Sequence, residues 1–283
     1  MSEVLACIDG STTASAVCDY AVWASQRLQT SLTLLHVLDK TQYPQRSDLS
    51  GIIGLGTREH LLEELASVDQ QHSKRALEQS HLILETAQAR AIQAGISAPL
   101  MRQRHGSLVE SLAAFEESIR LLVIGRHSAT NDNVSEHVGS QLENVIRTVQ
   151  RPALITCGDF LAPQSYLFAY DGSFTARKAL QMVASSPLLQ GLHCHLLMVG
   201  SDRTACDALL NEAAQVINTS AGEVTIAWRE ADVEPSIRTY QLQHKVDLLV
   251  MGAYGHSRIR QLLLGSTTSQ LIASSICPLL ILR

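Results

Sequence analysis

The chain repeats itself, and this repeat constrains its fold more than any other feature. Segments of the first half recur in the same order in the second half: residues 5–11 match 167–173, 32–37 match 194–199, and 121–125 match 248–252. The displacement drops from 162 to 127 residues along the chain, so the first copy carries about 35 additional residues within positions 39–95. A repeat this long is a duplicated domain rather than a solenoid unit. The predicted domains are residues 1–157 and 164–283.

Short apolar runs alternate with helical patterns in both copies. The predicted strands of the first copy are 4–8, 32–37, 98–104, 121–124 and 153–157, and those of the second are 166–170, 194–199, 223–229, 248–251 and 279–282. Near-continuous apolar strands separated by helices are typical of a parallel sheet covered on both faces. The insertion contains a long polar-faced helical pattern over 57–94, continuous or broken. The expected fold is α/β, with two tandem doubly wound domains of five parallel strands each.

Charge and composition exclude several classes of function. The net charge is −5, which provides no general attraction to nucleic acid. All of this excess lies in residues 1–160, whereas residues 161–283 are neutral, so the second half repels an anionic ligand less. No apolar run approaches the ~20 residues of a membrane span, and the N-terminus lacks a signal-peptide pattern. The six cysteines are scattered without a C-x-x-C pair. A cytoplasmic protein is expected.

One segment of the second copy carries the pattern of a phosphate-binding loop. Gly252 and Gly255 follow a predicted strand, and residues 265–267, Gly-Ser-Thr, precede the last predicted helix. Glycines allow a ligand to approach the backbone closely. The free N–H groups and the dipole at a helix N-terminus favour phosphate. Arg258 and Arg260 lie between the two anchors and would add positive charge.

This segment fits Gly-x2-Gly-x9-Gly-Ser/Thr and resembles the ATP-binding loop of the universal stress protein family. The resemblance covers nearly the whole chain twice and includes the Asp-Gly-Ser turns at 9–11 and 171–173. It implies a tandem member in which each sheet has strand order 3-2-1-4-5. It also implies an adenine nucleotide at the carboxyl ends of strands one and four, which is where ligands bind in doubly wound sheets. The implied ligand is ATP, or ADP or AMP, with or without Mg²⁺.

The resemblance assigns roles to residues of the second copy. By position, Asp171 and Val199 would border the adenosine. Met251, Gly252 and Gly255 would approach the ribose and phosphates. Gly265, Ser266 and Thr267 would hold the phosphates, with Arg258 as an added cation. Members of the family pair through their last strands, which here are 153–157 and 279–282. An intramolecular pseudo-dimer is therefore expected, with a homodimer of whole chains as a further possibility and no protein partner specified.

The first copy departs from the pattern. Ser128 stands in the place of the second glycine, and ten residues instead of nine separate it from Gly139. Asp132 and Glu136 add negative charge to the loop, which opposes a triphosphate. We therefore expect one nucleotide per chain, bound by the second copy, while weaker binding of another ligand by the first copy stays open.

Simpler interpretations stand beside these. Gly252 and Gly255 could serve only a tight turn, and Asp171 could cap a helix. His193 and His195 point to one side of a strand, but zinc would need a further ligand. Three functions compete: a nucleotide-binding stress-response regulator, a slow ATP hydrolase with His256 or Asp171 as base, and a dimer scaffold. The regulator is preferred because no residue is clearly placed to activate water, and no catalytic or metal-binding residue is assigned.

Overall fold

A computed structural model describes residues 2–38, 55–126, 135–218, 222–252 and 266–283 of the chain. For residues 55–73, 135–141 and 266–267 the description covers the backbone alone. Within these ranges, no helix is both long enough and apolar enough to cross a membrane.

The described residues alternate strands and helices in both halves, as the apolar runs predict. The first half contains β1 (Glu3–Cys7), α1 (Ala14–Leu28), β2 (Ser31–Leu38), α2 (Leu55–Gln93), β3 (Leu100–His105), α3 (Leu108–Phe115), β4 (Ile119–Gly125), α4 (Ser135–Thr148) and β5 (Ala153–Thr156). The second half contains β6 (Ser165–Ala169), α5 (Phe174–Ser185), β7 (His193–Val199), α6 (Arg203–Ile217), β8 (Glu223–Arg229), α7 (Val233–His244), β9 (Leu248–Gly252), α8 (Ser266–Ser274) and β10 (Leu279–Leu282).

All ten strands belong to one sheet of order β3-β2-β1-β4-β5-β10-β9-β6-β7-β8. Each half has the order 3-2-1-4-5 that the resemblance implies, and its strands pair in parallel. The two halves meet through β5 and β10, which pair antiparallel with Leu154 opposite Leu280. The predicted α/β fold and the predicted pairing of the last strands are both present.

Two apolar cores lie on opposite faces of the sheet. One core is formed with α1, α2, α5 and α6, and the other with α3, α4, α7 and α8. Residues of adjacent positions on a strand, such as Val4 and Leu5, contribute to different cores because side chains alternate across a sheet. Both faces of every central strand are therefore buried, which explains their near-continuous apolar sequences.

The described part of the insertion of the first copy lies in helix α2, which has 39 residues against 15 in its counterpart α6. The C-terminal part of α2 packs on α1. Arg90 forms a bidentate ion pair with Asp19 at 2.6 Å, and the Cys18 thiol donates to the carbonyl oxygen of Ala87. The helical pattern over 57–94 is thus one uninterrupted helix.

The seam between β5 and β10 should determine the stability of the whole chain. Leu280 is 1% exposed and lies opposite Leu154, so Leu280→Ala should lower the free energy of unfolding by about 2–5 kcal/mol through lost burial and a cavity. Chemical denaturation measures this difference. As a control, Leu242→Ala at a 59% exposed position should change it by less than about 0.5 kcal/mol. A Leu280→Ala protein as stable as the control would contradict the prediction.

Candidate functional site

The carboxyl ends of β9, β6 and β7 lie side by side at one edge of the second half-sheet. Ala169 at the end of β6 is in register with Met251 on one side and Leu197 on the other. The strand order reverses between β6 and β9, which is the point where doubly wound sheets leave a crevice. The fold therefore brings together four of the predicted site residues, namely Asp171, Val199, Met251 and Gly252.

Asp171 organises the turn that follows β6. Its Oδ1 accepts from the backbone N–H of Ser173 at 3.0 Å, and Gly172 between them has a φ of +70°, in the region that favours glycine. The N-cap of α5 is Ser173, whose hydroxyl accepts from the N–H of Ala176 at 3.2 Å. Asp171 therefore holds the turn while its neighbour caps the helix. The Asp171 residue is exposed to solvent at this edge.

Gly252 has a packing role that the sequence does not reveal. A Cβ atom at this position would lie 3.0 Å from the carbonyl oxygen of Thr175 and 3.3 Å from the Cβ of Ala179, both on α5. In the first half, a Cβ atom at Gly125 would lie 3.0 Å from side-chain atoms of Thr13 and Val17. Each glycine thus lets a helix approach the end of its strand closely, which would apply with or without a ligand.

Helix α8 presents the N-terminal end that the phosphate-binding pattern predicts. It begins at Ser266, immediately after Gly265, so Ser266 and Thr267 belong to its first turn, where backbone N–H groups lack helical partners. The Thr268 side chain is 2% exposed, and its hydroxyl has no hydrogen-bond partner among the described residues. The free N–H groups of this first turn suit an anionic ligand such as phosphate, and the Thr268 hydroxyl in the same turn is a buried polar group without a partner among the described residues. Gly255, Arg258 and Gly265 lie outside the described residues.

The corresponding end of α4 is built differently. This helix begins at Ser135, so Gly139 and Ser140 are its fifth and sixth residues. Only the first turn of a helix has N–H groups free for a ligand, so those of Gly139 and Ser140 are engaged within the helix. At the position of Thr268 the first copy has Leu142, which is buried. The two copies therefore differ in helix start as well as in loop sequence.

His193 and His195 belong to an aromatic cluster on β7. The ring of His195 is stacked on His193 at 4.3 Å and lies 5.5 Å from His244 of α7. His195 Nδ1 is hydrogen-bonded to the Tyr240 hydroxyl at 3.1 Å, and His193 Nε2 to the Thr225 hydroxyl at 2.9 Å. These bonds give both histidines a structural role. Within the described ranges, no group of three or more metal-ligating residues is arranged to hold a metal ion.

Burial, together with the neighbouring His193 and His244, lowers the pKa of His195 from 6.5 to about 4, against a smaller opposing effect of Glu223. Because burial disfavours the charged form of an imidazole, the His195 ring stays neutral near pH 7. Arg229, whose guanidinium lies 5.5 Å from the Tyr240 ring, adds positive charge to the same face.

The fold and the strand-end crevice define a tandem doubly wound α/β protein with a candidate anion site in its second half. The model of the universal stress protein family matches residues 1–156 and again residues 164–283. The chain belongs to this family.

Two of the similar proteins match this chain along nearly its whole length. The chain is 35% identical over 289 residues to the universal stress protein Slr1230 of Synechocystis, with complete coverage of both chains. A universal stress protein from Archaeoglobus fulgidus shares its fold with a TM-score of 0.71 at 19% identity, covering 99% of this chain and 98% of that one. A universal stress protein solved in complex with cAMP matches 43% of this chain and 97% of its own at 23% identity, with a TM-score of 0.36.

Sequence reasoning missed two residues of the site region. Thr268 follows the Gly-Ser-Thr segment directly, yet its significance depends on burial, which local pattern does not report. Arg126 occupies an unconstrained position between Gly125 and Ser128 in the sequence, although its side chain reaches α8 of the other half. Both depend on contacts between segments far apart in the chain.

The His195 cluster should make stability depend on pH. The unfolded chain binds a proton at this ring near pH 6.5 and the folded protein only near pH 4, so the free energy of unfolding should fall as pH drops through this window. Urea denaturation between pH 4.5 and 7.5 measures the slope. His195→Gln should flatten it, whereas His81→Gln, at an exposed position on α2, should leave it unchanged. Equal slopes for wild type and His195→Gln would refute the assignment.

Proposed function

We propose that the chain is a cytoplasmic stress-response protein that binds one adenine nucleotide, ATP or else ADP or AMP, in its C-terminal domain, residues 164–283. The output of binding is a change in conformation or in affinity for a protein partner. The domain boundary is taken from the repeat and agrees with the extent of the second family match. Six free cysteines accord with a reducing compartment.

The start of α8 carries this proposal. In the second half a helix begins at Ser266, directly after the Gly-x2-Gly-x9-Gly segment, and the buried Thr268 hydroxyl in its first turn has no partner among the described residues. In the first half the equivalent glycine and serine are inside α4. Free N–H groups at a helix start are the main attraction that such a fold offers to phosphate. The contrast favours a single nucleotide site over two.

The remaining site residues have complementary roles. Asp171 and Val199 stand at the ends of adjacent strands, where they would contact the adenosine. Met251 and Gly252 are the last residues of β9. They lie between the proposed adenosine position and α8, and the ribose would contact them. Ser266 and Thr267, with Gly255, Gly265 and Arg258, would hold the phosphates. Bound with ATP, Mg²⁺ would neutralise part of the phosphate charge.

Binding rather than hydrolysis is the better-supported activity. Asp171 already uses Oδ1 to hold the turn after β6, which suits a fixed hydrogen-bonding partner more than a base that must accept a proton.

A homodimer of whole chains would have to use the edges or the helical faces of the sheet. The pairing of β5 with β10 leaves β3 and β8 as the edge strands.

Isothermal titration of the intact chain with ATP should give a stoichiometry of one. The first copy lacks free N–H groups at Gly139 and carries acidic residues in its loop, and the loss of two or three charged hydrogen bonds at ~1.5–3 kcal/mol each would move a micromolar site to millimolar or weaker. A stoichiometry of two would overturn the assignment of a single site.

Gly265→Asp should weaken nucleotide binding at least about 100-fold while changing the free energy of unfolding by less than about 1 kcal/mol. The new carboxylate repels phosphate, yet it is acceptable near a helix N-terminus. The matched control is Gly139→Asp in the first copy, which should leave ATP affinity and stoichiometry unchanged. Unaltered affinity of Gly265→Asp, or an equal loss in Gly139→Asp, would contradict the site.

A further inference from the structure

Arg126 connects the first domain to the proposed phosphate-binding helix of the second. It follows β4 directly, and its backbone N–H donates to the carbonyl oxygen of Thr156 at the end of β5 at 2.8 Å. Its side chain crosses the seam, where Nη1 donates to the carbonyl oxygens of Ile272 at 2.7 Å and Ala273 at 3.1 Å. Both acceptors belong to the last turn of α8. A residue anchored in the first domain therefore caps a helix of the second.

Helix α8 needs such a partner more than its counterpart does. Its nine residues include no basic side chain in the last turn, whereas α4 has Arg147 there. The last carbonyl groups of a helix lack partners within the helix, and a cation beside them interacts favourably with the helix dipole. Arg126 supplies from the other domain the positive charge that α8 lacks.

The two ends of α8 are energetically linked. A helix of nine residues is ~13 Å long, and the carbonyl groups that Arg126 contacts lie about two turns from Ser266. Helices this short are marginal without tertiary support. Phosphate at the N-terminus and arginine at the C-terminus stabilise the same helical state, so each should favour the other.

On the basis of the proposed function, we propose that Arg126 is a positioning residue for the nucleotide site, through which the first domain sets the ATP affinity of the second. Arg126 holds α8 in its helical state and thereby keeps the N–H groups of the first turn aimed at the ligand. At the equivalent position the second copy has Ala253, which has no side-chain donor. The altered loop of the first domain thus gains a role in place of phosphate binding.

The test compares arginine variants of the full-length chain. Arg126→Ala should weaken ATP binding about 3- to 10-fold in calorimetry, in line with a helix-terminal charge, and should accelerate hydrogen exchange of α8 amides in the ligand-free protein. Arg126→Lys keeps the charge and donors and should stay within about twofold of wild type. The matched control is Arg120→Ala. Arg120 also donates to a carbonyl oxygen at the end of a helix, that of Leu28 in α1, at 3.1 Å. This variant should change neither readout.

The outcomes separate the two proposals. Normal ATP binding by wild type together with equal affinity of Arg126→Ala overturns the coupling alone. An equal loss in Arg120→Ala also overturns it, because the effect would then follow from net charge or general stability. A wild-type chain that binds no nucleotide overturns the proposed function and with it the coupling, and the exchange rates of α8 still report whether Arg126 holds the helix.

Discussion

The antiparallel pairing of β5 with β10 is the interaction on which the rest of the structure depends. Each half-sheet ends in a short strand whose residues are almost completely buried, such as Leu154 and Leu280. An exposed apolar edge strand tends to pair with a strand of another chain. Covalent linkage of the copies makes the sister edge the nearest partner. The pairing joins two five-stranded units into one ten-stranded sheet with a continuous core on either face.

This seam also brings the functional elements of the two copies into contact. Because β4 and β9 flank the paired strands, the end of β4 lies close to the helices of the opposite half. Arg126 can therefore reach α8, and in the other direction the Arg283 side chain approaches the carbonyl oxygen of Arg147 at the end of α4. The copy that has lost the ligand-binding pattern therefore still contacts the helices of the other copy and can influence it through these contacts.

The copies show how a small change at a helix start alters a site. In the second half, α8 begins where the glycine pattern ends, so the N–H groups of its first turn lack partners within the helix. In the first half, α4 begins earlier and uses the equivalent N–H groups in its own hydrogen bonds. The glycines after the strands differ less, since Gly125 and Gly252 both accommodate a closely packed helix. Thus one glycine of the pattern serves the fold in both copies.

The duplication, the succession of elements and the position of the glycine loop were determined by the sequence itself, because apolar periodicity and glycine spacing are local properties. Even the edge strands β3 and β8 could be located, although their half-exposed residues weakened the pattern. Only the tertiary structure decided the register of β5 on β10, the burial of the Thr268 side chain and the contact of Arg126 with Ile272. These features depend on distances between segments more than a hundred residues apart or on complete burial, and neither is encoded in local spacing.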